Sequence, residues 1–195
     1  MLKINKIRSV STKKAFTLIE LVIVVTFTAL FMIVLSRFFG NYLKSFNFMK
    51  ATVEVTWSGG RVMTETSRAI RQADMVVASK VISGTTYTSG SGSLVLELPS
   101  IDVSGNILTG KYDYIVFYKS GSNIYERTSA DAGSVRASGQ EQLSKTAQSL
   151  AFSYDNTDLS QAKKIDVEVQ TQEQLGNQTN SSHLHQQINL YNKQL

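Results

Sequence analysis

Glu20 is the one ionisable residue between Ala15 and Leu35, in the stretch KKAFTLIELVIVVTFTALFMIVL. A charge near the middle of a bilayer costs on the order of 2.5–3.5 kcal/mol on insertion scales, so it calls for a partner. No Lys or Arg lies within the run. The chain itself can supply one. Cutting the Ala15–Phe16 bond would expose a positive α-amine on Phe16, one helical turn from Glu20, able to pair within the chain or with the Glu20 of a neighbour. Such a cut would supply the carboxylate with the partner that the run itself lacks.

Other residue clusters could carry chemistry by type alone. His183 and His185 alternate in HLH and would share one face of a strand, as two metal ligands must. No third ligand is identifiable nearby, so a polar strand face is expected and no metal. Asp155, Asn156 and Asp158 in YDNTD have oxygen ligands but lack the glycine turn and terminal Glu of a calcium loop. Turn-forming side chains account for them better, and likewise for Asp102, Ser104, Gly105 and Asn106. The chain has no cysteine, which excludes thiolate metal sites and thiol nucleophiles. It has no phosphate loop of the GxxxxGK[ST] type and no GxSxG elbow. No catalytic constellation and no cofactor are expected, and the chain is not read as an enzyme.

The charge distribution narrows the partners. Lys3, Lys6, Arg8, Lys13 and Lys14 fall in the first fifteen residues with no acid among them, and the rest of the chain balances fifteen bases against fifteen acids. The net charge of +5 thus belongs to the leader, where it would hold the N-terminus on the cytoplasmic side. Arg61, Arg68, Arg71 and Lys80 form a stripe too thin for a run of phosphate contacts, and no direct nucleic-acid binding is expected.

These residues must be positioned by a helix. The apolar run is about the length of a membrane span, Arg37 ends it, and no small-residue cleavage site follows as in an ordinary secretory signal. Phe39, Tyr42, Phe46, Met49 and Val53 continue the pattern at steps of three and four, and Trp57, Met63 and Ile70 carry it on. They are expected to dock the helix against a sheet or a neighbouring helix. Helix is expected from about Phe16 to about Ala73, with breaks at Gly40 and Gly59–Gly60, where glycine costs about 1 kcal/mol relative to alanine. Beyond Asp74 the period becomes two. Strands are expected at Met75–Ile82, Ser93–Leu98, Tyr112–Lys119, Asn123–Thr128, Ser149–Asp155, Lys164–Thr171 and His185–Tyr191, with KSGSN as a hairpin connection. Ser129–Lys145 and the amide-rich Gln172–Ser182 read as surface excursions or short irregular segments. The fold class is α+β: a long N-terminal spine helix, its first half membrane-inserted, packed on a mostly antiparallel β-domain. The divisions are 1–15 leader, 16–36 membrane or filament-core helix, 37–74 amphipathic continuation and 75–195 β-rich domain.

The segment KKAFTLIELVIV resembles the class III signal of type IV prepilins and type II secretion pseudopilins. Lys13 and Lys14 match the basic leader, Ala15 the small residue before the cut, Phe16 the residue after it, and Glu20 the acid four positions on. Ala15 stands where the family usually has glycine. Arg37 lies where major pilins often carry a kinking proline, and the one proline here is Pro99. The resemblance implies that a membrane aspartyl prepilin peptidase cuts between Ala15 and Phe16 and N-methylates Phe16. It also implies that Glu20 guides subunit docking by meeting the Phe16 amine of an adjacent subunit.

The order SRAIRQAD, LVLELPSID, DYIVFY, NIYERTS, QSLAFSY and INLYNK is similar to J-type minor pseudopilins and related minor pilins. K-type tip subunits usually lack the acid that stands here as Glu20. The family reading implies other minor and major subunits and an inner-membrane assembly platform as partners. It implies a single-pass inner-membrane protein with an extracytoplasmic C-terminal domain that passes into a pilus or pseudopilus. A signal-anchored extracytoplasmic binding or adhesin domain, uncut at Ala15–Phe16, is the alternative.

Overall fold

The computed structural model describes residues 17–190. One helix, α1 (Leu18–Gln72), precedes ten strands: β1 (Met75–Val76), β2 (Ser79–Ile82), β3 (Thr85–Thr88), β4 (Ser93–Ile101), β5 (Ile107–Ser120), β6 (Asn123–Ser129), β7 (Gly139–Ser144), β8 (Ala147–Tyr154), β9 (Lys164–Leu175) and β10 (Gln178–Asn189). A single 3-10 turn at Leu159–Gln161 joins β8 to β9. All strand pairings are antiparallel among the described residues, in sheets ordered β1-β4-β5-β6-β7, β10-β9-β8 and the hairpin β2-β3. This is an α+β fold, with the C-terminal part of one long helix packed on antiparallel sheet. The described residues divide into two compact units, one ending at Phe46 and the other starting at Asn47, so helix residues from Asn47 onward belong with the strands.

In the larger unit the helix presents Ala51, Val55, Ser58, Gly59, Val62, Met63, Thr66, Ala69 and Ile70 to the interior. These recur at steps of three and four, one face of an α-helix. Val62 and Ile70 meet Leu94, Leu96 and Phe117 of one sheet and Ile165, Val167 and Ile188 of the other in one core. Each such side chain, fully buried, stabilises by roughly 1.5–3 kcal/mol. β4 is apolar on both faces. Leu94, Leu96 and Leu98 face this core, while Val95 joins Ile82 and Val116 in a second cluster with Tyr87 and Tyr118 packed against it. That double burial is why LVLEL reads as a run rather than an alternation.

The described helix begins at Leu18, next to the expected start at about Phe16, which lies outside the described residues. It departs from expectation in two ways. It passes Gly40, Gly59 and Gly60 unbroken. A Cβ at Gly59 would stand 3.2 Å from Thr171 Oγ1 and 3.4 Å from Leu184 Cδ1, so this glycine permits close approach to β9 and β10 rather than a bend. Finally, Phe39, Tyr42, Phe46, Met49, Val53 and Trp57 are all more than half exposed. Of the expected stripe, Met63 and Ile70 are buried in the core, whereas Met49, Val53 and Trp57 stay outside it. Small residues such as Ala51, Ser58 and Gly59 complete the docking face, because they let the backbones approach.

One expected strand and two expected excursions also change. Met75–Ile82 splits into β1 and β2, and β2 turns into an unexpected β3 through Ser83 (φ 49°) and Gly84 (φ 82°). Ser129–Lys145 contains β7, paired with β6. Gln172–Ser182 is strand on both sides of the two-residue turn Gly176–Asn177, with Gly176 at φ 60°. The expected KSGSN hairpin is present, with Ser120 opposite Asn123.

Candidate functional site

Thr17 caps α1. The N–H of Glu20 donates to Thr17 Oγ1 at 3.3 Å, and the N–H of Leu21 donates to the Thr17 carbonyl at 3.1 Å. Thr17-Leu18-Ile19-Glu20 is the Thr-x-x-Glu spacing of a capping box, a signal already present in the local sequence. A carboxylate in the first turn also meets the positive end of the helix dipole, worth about 0.3–1 kcal/mol at an exposed position. That is several-fold less than the cost of placing a charge deep in a bilayer. Capping therefore accounts for an acid at a helix start in water but does not offset one in lipid.

From Leu18 to Leu35 the helix rises roughly 27 Å at 1.5 Å per residue, close to the hydrocarbon thickness of about 30 Å. It is long and apolar enough to cross a membrane. Large side chains along it are exposed among the described residues: Leu18, Phe27 and Phe31 are each more than half exposed. Its two hydroxyls are satisfied internally. Thr26 Oγ1 donates to the Val22 carbonyl at 2.8 Å and Thr28 Oγ1 to the Val24 carbonyl at 2.7 Å. This is what a hydroxyl needs where water is absent. Among the described residues Glu20 has no ion-pair partner. Lys13, Lys14, Ala15 and Phe16, the leader charge and the cleavage and methylation positions, lie outside the described residues.

The remaining candidates fall on the β-domain. His183 and His185 share the exposed face of β10, each against an acid of β9: His183 Nε2 is 2.7 Å from Glu168 Oε1, and His185 Nε2 is 3.5 Å from Asp166 Oδ1. Asp155 Oδ1 accepts the Lys163 N–H at 2.9 Å. Asp158 Oδ1 accepts the N–H and hydroxyl of Ser160, and Asn156 Oδ1 accepts the Asp158 N–H. These oxygens bond the loop backbone. Asp102 does the same at its turn, where the N–H groups of Ser104 and Asn106 bond Oδ1; bonds from Asn106 foremost hold its carboxyl below the usual aspartate range. Arg61 pairs with Glu141 and Arg68 with Glu65, while Lys80 Nζ sits 3.6 Å from the Tyr114 ring centre. Three of the four residues of the basic stripe are thus held by acids or an aromatic ring, and the fourth, Arg71, is exposed.

Two features had no forewarning in the sequence. Asp113, fully buried, accepts from Ser100 Oγ (2.7 Å), the Asp131 N–H (2.8 Å), Ser134 Oγ (2.7 Å) and Arg136 Nη1 (2.7 Å). Burial alone would push its carboxyl up; these four donors outweigh it and hold the group below the usual range. They tie the connection after β6 to the sheet. The second is a cleft of ≈ 830 Å³ where Lys50 and Glu54 of α1 meet Lys145, Gln172 and Glu173. Its size suits a small ligand, yet its charges are mixed and single out no ligand class.

No protein-family model, curated protein or solved structure matches the chain. The functional reading therefore rests on the N-terminal residues and the fold.

Proposed function

We propose that the chain is a minor pilin or pseudopilin, a structural subunit cut between Ala15 and Phe16 by a prepilin peptidase and assembled through its N-terminal helix. The observation that carries this reading is Glu20: the sole ionisable side chain from Leu18 to Leu35, exposed and without an ion-pair partner among the described residues. In this reading Lys13 and Lys14 hold the leader in the cytoplasm. The α1 segment up to Leu35 sits in the inner membrane before assembly and in the filament core after it, and the methylated Phe16 amine of a neighbour meets Glu20. Apolar helix packing supplies the association energy. The carboxylate supplies register, because an unpaired charge in a dry bundle costs more than its pair contributes. The β-domain stays extracytoplasmic, and the partners are other pilin or pseudopilin subunits, the peptidase and an inner-membrane assembly platform.

A second reading has its own support in the Thr17–Glu20 cap, which explains the acid as a helix start. There the chain stays uncut as a signal-anchored extracytoplasmic binding or adhesin domain. Intact-mass and N-terminal peptide mass spectrometry of the protein from its host separates the two. A chain beginning at N-methylated Phe16 is expected; one still beginning at Met1 overturns the subunit reading in favour of the anchored domain.

A further inference from the structure

β10 is the free edge of the sheet β10-β9-β8. Just beyond it the Leu190 N–H donates to the Lys163 carbonyl at 2.9 Å, in register with the β9–β10 pairing. Backbone groups alternate in direction along an antiparallel pair. The even-numbered residues from Gln178 to Ile188 therefore turn their N–H and C=O groups toward β9. Thr179, Ser181, His183, His185, Gln187 and Asn189 turn theirs away. All six are exposed, and their outward backbone groups have no partner among the described residues.

Other edges are short, irregular or occupied. β1 has two residues, and β7 has six with a register shift in its pairing. β8 bonds outward through the N–H groups of Phe152, to Ser91, and Ala147, to Ser122. Exposed edges are usually blunted by proline, lysine or a bulge. From Gln178 to Asn189 there is no Pro, Lys, Arg, Asp or Glu, and the pairing with β9 has no register shift.

We propose that β10 accepts an added strand: an extended, proline-free segment of about six or more residues from a different polypeptide. The recognising chemistry is the array itself. Outward N–H and C=O groups repeat about every 6.8 Å along the strand, a spacing that another extended polypeptide backbone reproduces. The flanking side chains restrict the occupant further. Glu168 and Asp166 stand one strand in, beside His183 and His185, so hydroxyl, amide or basic residues suit the incoming strand on that face and acidic ones do not. A second copy could offer its own β10, but the two-fold pair would bring the histidines of both copies together, where protonation sets like charges side by side. The proposal is independent of the filament reading, since an anchored receptor would present the same edge.

The test is hydrogen exchange of the intact chain, read by mass spectrometry, in detergent micelles and in membranes of the cells that make it. Peptides covering residues 179–189 are expected to exchange about tenfold or more slowly in the membranes, as opening then requires release of the added strand. Ser181→Ala should keep this slowing and Ser181→Pro should lose it, because proline there removes an outward N–H and spares the bonds to β9. Gln187→Pro repeats the test at a second outward position if the first variant folds poorly. Equal exchange in the two settings, or slowing that survives proline, overturns the proposal. Because the chain has no cysteine, the double variant Ser181→Cys, Gln187→Cys reports the occupant: these positions face each other in a two-fold pair that brings His183 of one copy opposite His185 of the other, so a disulfide dimer of two β10 edges overturns the assignment to a different polypeptide.

Discussion

The hydroxyl of Thr171 on β9 donates to the carbonyl oxygen of Val55 on α1 at 2.8 Å, in a buried position. The same hydroxyl lies 3.2 Å from where a Cβ on Gly59 would sit. One residue of the sheet thus bonds the helix backbone and sets how closely the helix approaches. Ser58 Oγ and Thr146 Oγ1, 3.0 Å apart, make a second polar contact on the same helix turn.

The neighbouring glycines should therefore answer alanine in opposite directions. Gly60 has nothing within 4 Å of an added Cβ, so Gly60→Ala should gain about 1 kcal/mol from helix propensity. Gly59→Ala gains the same propensity but presses a methyl against a hydroxyl held by Val55 and against Leu184. It should fall below the parent by about 1 kcal/mol, within the range for overpacking. Thermal unfolding of the full chain in detergent compares them. Equal rises in Tm would remove close approach as the reason for Gly59.

Asp113 fixes an acid limit of stability. Its folded pKa is lowered from 3.8, so its contribution is complete above the unfolded value and is lost as pH falls below about 4 through the folded value. Asp113→Asn should destabilise the β-domain by about 3 kcal/mol or more at neutral pH, because Arg136 loses its buried partner. The deficit should shrink as the parent is acidified. Denaturant titrations at several pH values measure it; a deficit independent of pH would mean that the carboxylate charge is not what holds residues 131–136.

Glu126 has the opposite sign. Burial foremost, then the charges of Glu65 and Glu141, raise its pKa above 4.5 against the pull of Arg68 and Arg61. A raised acid costs stability as pH climbs from the unfolded value through the folded one. Glu126→Gln should raise Tm at pH 7 and change it little near pH 4. A variant less stable than the parent at pH 7 would show that the ionised carboxylate is a needed partner of Arg68.

How far the sequence carried depended on whether a signal was local. The apolar run, β4, β5, β6 and the Gly121 hairpin were legible, since periodicity and turn chemistry are read within a few residues. β3 was hidden behind the Ser83–Gly84 turn, whose two positive φ angles suit a tight hairpin. The ends of β9 and β10 were hidden because Gln172, Gln174, Gln178 and Ser181 carry no apolar alternation; backbone pairing across Gly176–Asn177 makes them strand. The docking face of α1 was legible in part: Met63 and Ile70 of the expected stripe are buried, while apolar periodicity does not mark the small residues that complete the face. Ala51, Ser58 and Gly59 are buried since a helix lying close to a sheet selects small residues, while Trp57 stays outside with Arg61 5.6 Å from its ring centre. Asp113 could not be foreseen, as its donors at Ser100, Ser134 and Arg136 converge only after the sheet forms.

Glu20 has two candidate roles, and three variants separate them. Thr17→Val removes the capping hydroxyl and keeps the charge. Its loss should cost about 1 kcal/mol of helix start and leave assembly intact if Glu20 acts by docking. Glu20→Gln keeps size and hydrogen bonding but removes the charge, and Glu20→Ala removes both. Both should remain membrane-inserted, since an apolar helix without a charge inserts more readily. Both should also fail to enter filaments or filament-tip complexes, measured by co-purification of other subunits from sheared and membrane fractions. Should Glu20→Gln assemble as the parent does, the ion pair with the Phe16 amine is not the docking contact. Should Thr17→Val fail together with Glu20→Ala, the acid serves the helix cap, and the anchored-domain reading gains the weight that docking loses.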